Sequence, residues 1–322
     1  MGDRGPGGAE RDLPPRRKAR PRCAGMAGPT GRSTHGAEAL MRTLWHTLRT
    51  AAWLGWQIES NWTDPFLFMI YSVAKPIASV LILILMYKVV ARADFSHPLF
   101  AYLYLGNAFY IYVGAVLTGI SQVLIIDREE YGILKYFYIA PIPTEAYLVG
   151  RGVARMATGT IAVAITLLFG LLVFRLPLRV SGAGGGFFLI AMMLGMLAMI
   201  GLGVGLAGAT LLAARHVWVI GEAVAGALYL FCGAVFPLEV LPPFLRPIGY
   251  ALPLTYWLES VRRALLGSSA ARFPTFAGWS DGQLLSILGG MTLLSLGLGF
   301  GLYRLAERKA RQHGAIDRET GY

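Results

Sequence analysis

Six apolar runs, each near the roughly 20 residues that a helix needs to cross a hydrocarbon core about 30 Å thick, constrain this chain more than any other feature. They cover about 66–88, 99–126, 153–174, 186–212, 217–236 and 284–303. Such segments cannot stay in water, and in lipid every backbone N–H and C=O must be paired within the segment. The ten-residue alternating pattern of lipid-facing strands is absent. The predicted fold is therefore all-α, a polytopic membrane helical bundle of six transmembrane helices. The chain is 55% hydrophobic and only 15% charged, against roughly 25% charged in an average soluble domain.

The basic residues set the orientation. Most Lys and Arg fall before span 1, between spans 2 and 3, or after span 6. The other side holds Arg92, Arg175, Arg179, Arg246, Arg262, Arg263 and Arg272. The positive-inside rule then places both termini in the cytoplasm of a multi-pass plasma-membrane protein. The net charge of +11 reads as orientation signal and lipid-headgroup contact, and nucleic acid is not an expected partner.

Residues 1–40, rich in Gly, Pro and Arg without apolar periodicity, read as a disordered basic extension. Residues 41–305 form the membrane domain and 306–322 a cytoplasmic tail. Before span 1, Leu44, Trp45, Leu48, Ala52, Trp53 and Trp56 recur at helical spacing with His46, Arg49 and Gln57 between them. This pattern fits a helix lying in the headgroup layer, the alternative being a soluble helix packed on a partner. Asp64-Pro65 then caps and opens span 1.

Chemistry-bearing motifs are scarce. No Lys precedes Ser or Thr in a Gly-rich loop, so the chain lacks the phosphate cradle of an ATPase. Gly203, Gly205 and Gly208 match a dinucleotide fingerprint but lie mid-span without a preceding strand. Small residues four apart, Gly201/Gly205/Ala209 and Gly297/Gly301, read instead as helix-packing faces. The five histidines are scattered and the two cysteines offer no metal spacing, so no metal site and no catalytic residue is expected.

Two polar stretches are more informative. Between spans 2 and 3 the chain reads Glu129-Glu130-Tyr131-Gly132-Ile133-Leu134, then Pro141 and Gly150-Arg151, far longer than a hairpin needs. After span 5 come Pro237, Pro242-Pro243 and Pro253-Leu254-Thr255-Tyr256, followed by Arg262; the prolines divide this segment into short half-inserted helices. Leu254, Trp257, Leu258, Val261 and Leu265 mark one helix face opposite Glu259, Arg262 and Arg263.

In order and spacing these stretches resemble the permease of a type 2 ATP-binding cassette (ABC) exporter. The resemblance covers about residues 41–305, with Lys135 where an acidic residue is usual and Phe231 where a smaller aliphatic is expected. It implies a transmembrane subunit, not itself an enzyme, that moves a drug, lipid or glycan out of the cytoplasm. It further implies a homodimer or heterodimer of permeases and separate cytoplasmic ABC ATPase subunits carrying ATP and magnesium. Glu129, Glu130, Gly132, Leu134 and Pro141 would couple to the ATPase, and Pro237, Pro253, Tyr256 and Arg262 would form the outer re-entrant motif. Candidate substrate-path residues are Lys75, Asn107, Tyr110, Tyr112 and Glu222, polar groups deep in the spans; snorkelling or packing is the alternative reading. Rival classes are an ion-coupled secondary transporter, which favours repeated halves and mid-membrane acidic pairs, and an intramembrane lipid-modifying enzyme.

Overall fold

A computed structural model describes residues 32–60, 65–89, 95, 98–140, 142–178, 182–213, 217–267 and 274–312. The chain divides into two units, residues 1–41 and 42–322, and the second holds the helical bundle. The regular elements among the described residues are all helical. Helix α1 (Arg32–Ser60) begins inside the stretch read as an extension. Then come α2 (Pro65–Val89), α3 (Pro98–Tyr112), a π-helical turn (Val113–Thr118), α4 (Gly119–Glu129), the short α5 (Leu134–Ile139), α6 (Thr144–Phe174), α7 (Gly182–Leu212) and α8 (Val217–Phe231). The 3₁₀ turn Leu238–Val240, α9 (Arg246–Tyr250), α10 (Pro253–Leu266), the 3₁₀ turn Pro274–Phe276 and α11 (Asp281–Gln312) complete the chain.

Four helices among the described residues are long and apolar enough to cross a membrane: Pro98–Glu129, Thr144–Phe174, Gly184–Leu212 and Asp281–Gln312. The helix α2, 25 residues long and opened by Pro65 as expected, matches the first apolar run. The helix α8 is shorter than its run. Although the sequence stays apolar to Phe236, Gly233 takes φ +73° and the helix ends at Phe231.

The continuous helix α3–π–α4 is the hub. Its most apolar stretch is 72% buried, against 22% for α6 and 28% for α11, whose outward leucines, Leu172 and Leu293 among them, are exposed and suited to lipid. Around it pack α6, α7, α8 and α10, with α2 against α3 and α6. The π turn inserts a residue mid-helix, and the Thr118 hydroxyl donates back to the Gly114 carbonyl there.

The closest seam joins α7 and α11. A Cβ on Gly299 would fall 1.9 Å from the Gly201 carbonyl oxygen, and one on Gly205 would fall 3.2 Å from Gly299 Cα. Gly201 and Gly205 thus pack as expected, but the partner face differs. Ala209 is exposed and Gly297 and Gly301 look onto open space. Ser295, Gly299 and Tyr303 make the contact instead.

Candidate functional site

Polar side chains gather at both ends of the hub helix and at one level between. At the α5 end, α4 closes on Asp127, Arg128 and Glu129. The chain turns at Gly132, whose φ of +60° is glycine territory, and the Ile133 N–H bonds back to the Asp127 carbonyl at 2.9 Å. Leu134 is buried and plugs the turn, whereas Glu130, Tyr131, Tyr136 and Ile139 point outward, the last 80% exposed. Pro141 lies outside the described residues.

This turn is rooted by two arginines one helical turn apart on α6. Arg151 approaches Asp127 Oδ1 at 3.6 Å and donates to the Tyr147 hydroxyl at 3.2 Å, while that hydroxyl donates to Asp127 Oδ2 at 2.8 Å. Arg155 pairs with Glu59 of α1 at 2.8 Å. Packing is reciprocal: Arg151 lies against Gly55 of α1, and Arg155 against Gly119 of α4. Gly150 lets α1 approach closely, since a Cβ there would fall 2.6 Å from both Ala51 Cβ and the Leu48 carbonyl. The helix α1 therefore meets the bundle through Ala51 and Gly55 and turns Trp45 and Trp53 outward. Glu59, Asp127, Tyr147 and Arg155 do not stand out in the sequence; only the small-residue face of α1 opposite its tryptophans hints at the contact.

Midway, the expected path residues separate. Asn107 is buried and its Oδ1 accepts from the Tyr229 hydroxyl at 2.6 Å, while the Tyr110 hydroxyl donates to the Ala225 carbonyl. Both face α8, with the Tyr110 and Tyr229 rings 4.7 Å apart. Tyr112 faces elsewhere, donating to Thr160 of α6 at 3.0 Å and packing on Trp257. Lys75 on α2 and Glu222 on α8 are exposed on helices that pack against different parts of the hub. Asn107, Tyr110 and Glu222 thus share the α8 side of the hub, while Tyr112 turns to α6 and Lys75 sits on α2.

At the α10 end, Pro237 leads into the 3₁₀ turn and Pro253 occupies the first turn of α10, where its missing N–H is free of cost. The Thr255 hydroxyl donates to the Gly249 carbonyl at 2.7 Å and Tyr256 to the Tyr250 carbonyl at 2.9 Å, closing the preceding loop. The expected polar face of α10 is not a surface. Glu259 and Arg262 are each 2% exposed. Arg262 Nη2 donates to the carbonyls of Gly233 (2.7 Å) and Ala234 (3.2 Å), and its Nε to that of Tyr102 (3.1 Å). The Tyr102 hydroxyl donates to Glu259, which pairs with Arg263 at 3.2 Å. Arg263 in turn donates to the carbonyls of Phe276 and Trp279, in the segment just before the last span.

A bundle with apolar flanks, a rooted polar turn at one end and a broken helix at the other suits a multi-pass membrane protein. A family model described as ABC-2 type transporter matches residues 49–266, from α1 through α10. The chain belongs to the ABC-2 type transporter family and is an ABC permease domain, a kind that generally works with an ABC ATPase subunit. No curated protein matches the chain.

Proposed function

We propose that this chain is the membrane-spanning subunit of an ABC exporter, driven by a separate cytoplasmic ATPase that docks on the turn and helix 130–139. Six spans then place both termini in the cytoplasm, α1 lies in the inner headgroup layer, and α9 and α10 are half-inserted from the outer side. The observation that carries the reading is the α5 end itself. Tyr131, Tyr136 and Ile139 are exposed beside Glu130 on a turn whose root is buried and charged. Aromatic and apolar side chains around a carboxylate suit a protein partner better than water.

Transport follows from alternating exposure. ATP and magnesium, both on the partner, close the ATPase pair, the docked turn is displaced, and two permease copies open a path outward. Within one copy Asn107–Tyr229 and Tyr110–Ala225 tie spans 2 and 5 together. The path therefore runs along the open face of α8, where Glu222, Ala223, Gly226 and Ala227 are exposed at helical spacing, towards the second copy. Glu222 is then a group at its inner approach, Lys75 lies away from it on α2, and the cargo is a drug, lipid or glycan. Capture of a cytoplasmic ABC ATPase subunit by this chain, together with cargo export by the reconstituted pair, tests the reading. Export that persists without any ATPase would overturn it.

A further inference from the structure

The buried guanidinium of Arg262 marks a place where a span stops short. Helix α8 has 15 residues, about 22 Å at 1.5 Å per residue, whereas the hydrocarbon core is about 30 Å thick. Its C-terminal end and the irregular backbone after it thus lie at a depth where unpaired carbonyls are costly. The Cys232 N–H closes on the Leu228 carbonyl at 2.9 Å, and Gly233 then turns the chain out of the helix. In the turn that follows, the carbonyls of Gly233 and Ala234 both go to Arg262. A cation is also favoured there by the negative end of the helix dipole.

The same side chain reaches span 2. Besides the bond to the Tyr102 carbonyl, its guanidinium lies 3.9 Å from the centre of the Tyr102 ring, a cation–π distance. Gly106 makes room: a Cβ there would fall 1.9 Å from Arg262 Nη2 and 2.3 Å from the Ala234 carbonyl oxygen. Tyr102 passes the contact on to Glu259, so the charge is held inside a closed polar group.

We propose that Arg262 is a positioning residue for transport: it pins the turn that ends span 5 and binds it to span 2, so that these two ends move as one body. The inference rests on the permease reading. It assigns the outward opening to the boundary between permease copies and not to a parting of spans 2 and 5 within one copy.

Two measurements test it. Arg262→Lys keeps the charge but not the planar fork of donors. In the purified chain, hydrogen exchange at the Leu228–Ala234 amides is expected to rise about tenfold on losing such charge-assisted bonds, with α6 and α11 unchanged. Unaltered exchange there would overturn the pinning of the turn. In the assembled complex, otherwise wild type, spin labels on Leu103 and Val235 should keep their separation within about 2 Å between nucleotide-free and ATP-trapped states, the scale of shifts inside a packed unit. A larger change in separation would overturn the one-body claim. ATPase capture by the unlabelled chain is the independent control. Its failure counts against the permease reading, whereas the exchange result needs no partner.

Discussion

The two ends of the hub helix both bury arginines, and they use them differently. At the α10 end, Arg262 spends its donors on three backbone carbonyls at 2.7–3.2 Å. At the α5 end, Arg151 stands 3.6 Å from Asp127, and among the described residues Asp127 Oδ1 and Arg128 Nε have no hydrogen-bond partner. A satisfied buried network rigidifies, while a half-satisfied one is costly and gains by rearrangement. The α10 end is thus built to hold, and under the proposed docking the α5 end is the one that would shift.

The contrast can be broken first at Gly106. Gly106→Ala drives a Cβ into backbone as well as into Arg262, and overpacking of that kind costs about 3 kcal/mol. A large drop in the melting temperature of the detergent-solubilised chain is expected. Gly132→Ala, at a glycine of the other end with open space around it, should cost only the left-handed strain of about 1–2 kcal/mol.

Asp127→Asn should come next. It leaves Arg151, 3% exposed, facing no carboxylate, and breaking a buried pair from one side costs about 3 kcal/mol. Because Asp127 roots the turn, export per ATP hydrolysed should fall as well, measured in proteoliposomes. Asp127→Glu should restore part of both.

Glu59→Gln sharpens the comparison from outside. The Glu59 and Arg155 side chains are 18% and 25% exposed, and a pair of this kind is worth about 1 kcal/mol or less. Its loss should loosen α1 from α6, seen as faster exchange in Ala51–Ser60, with the α10 end unaffected.

The range of each interaction decides how much of the molecule is legible in its sequence. Apolar length and Pro65 are local signals, and α2, α6, α7 and α11 lie where the runs place them. The end of α8 is not legible, because Cys232–Phe236 is as apolar as the helix before it; the turn is set by Gly233 and by Arg262 arriving from 29 residues downstream. The α11 seam is ambiguous because that helix carries glycines on several faces, and only packing against Gly201 selects Gly299. The pairing of Asp127 with Arg151 is not legible either, since the two charges sit on different helices and meet only through packing. Tyr112 shares a helix with Asn107 and Tyr110 but turns towards α6, a difference of face that a mid-helix polar cluster does not reveal.

The smallest expected effect on folding is also the most direct test of the central claim. Glu130 is exposed, so Glu130→Ala should leave the stability within the scatter of surface substitutions, about 0.5 kcal/mol. Loss of a charged contact at a partly desolvated interface costs on the order of 2 kcal/mol or more. Capture of the ATPase subunit by the Glu130→Ala chain, compared with wild type at equal protein level, is the measurement. The account predicts weakened capture, with export and cargo-stimulated ATP turnover falling together. Full capture and full export by this variant, repeated with Glu129→Ala and Gly132→Ala, would contradict docking at the α5 end.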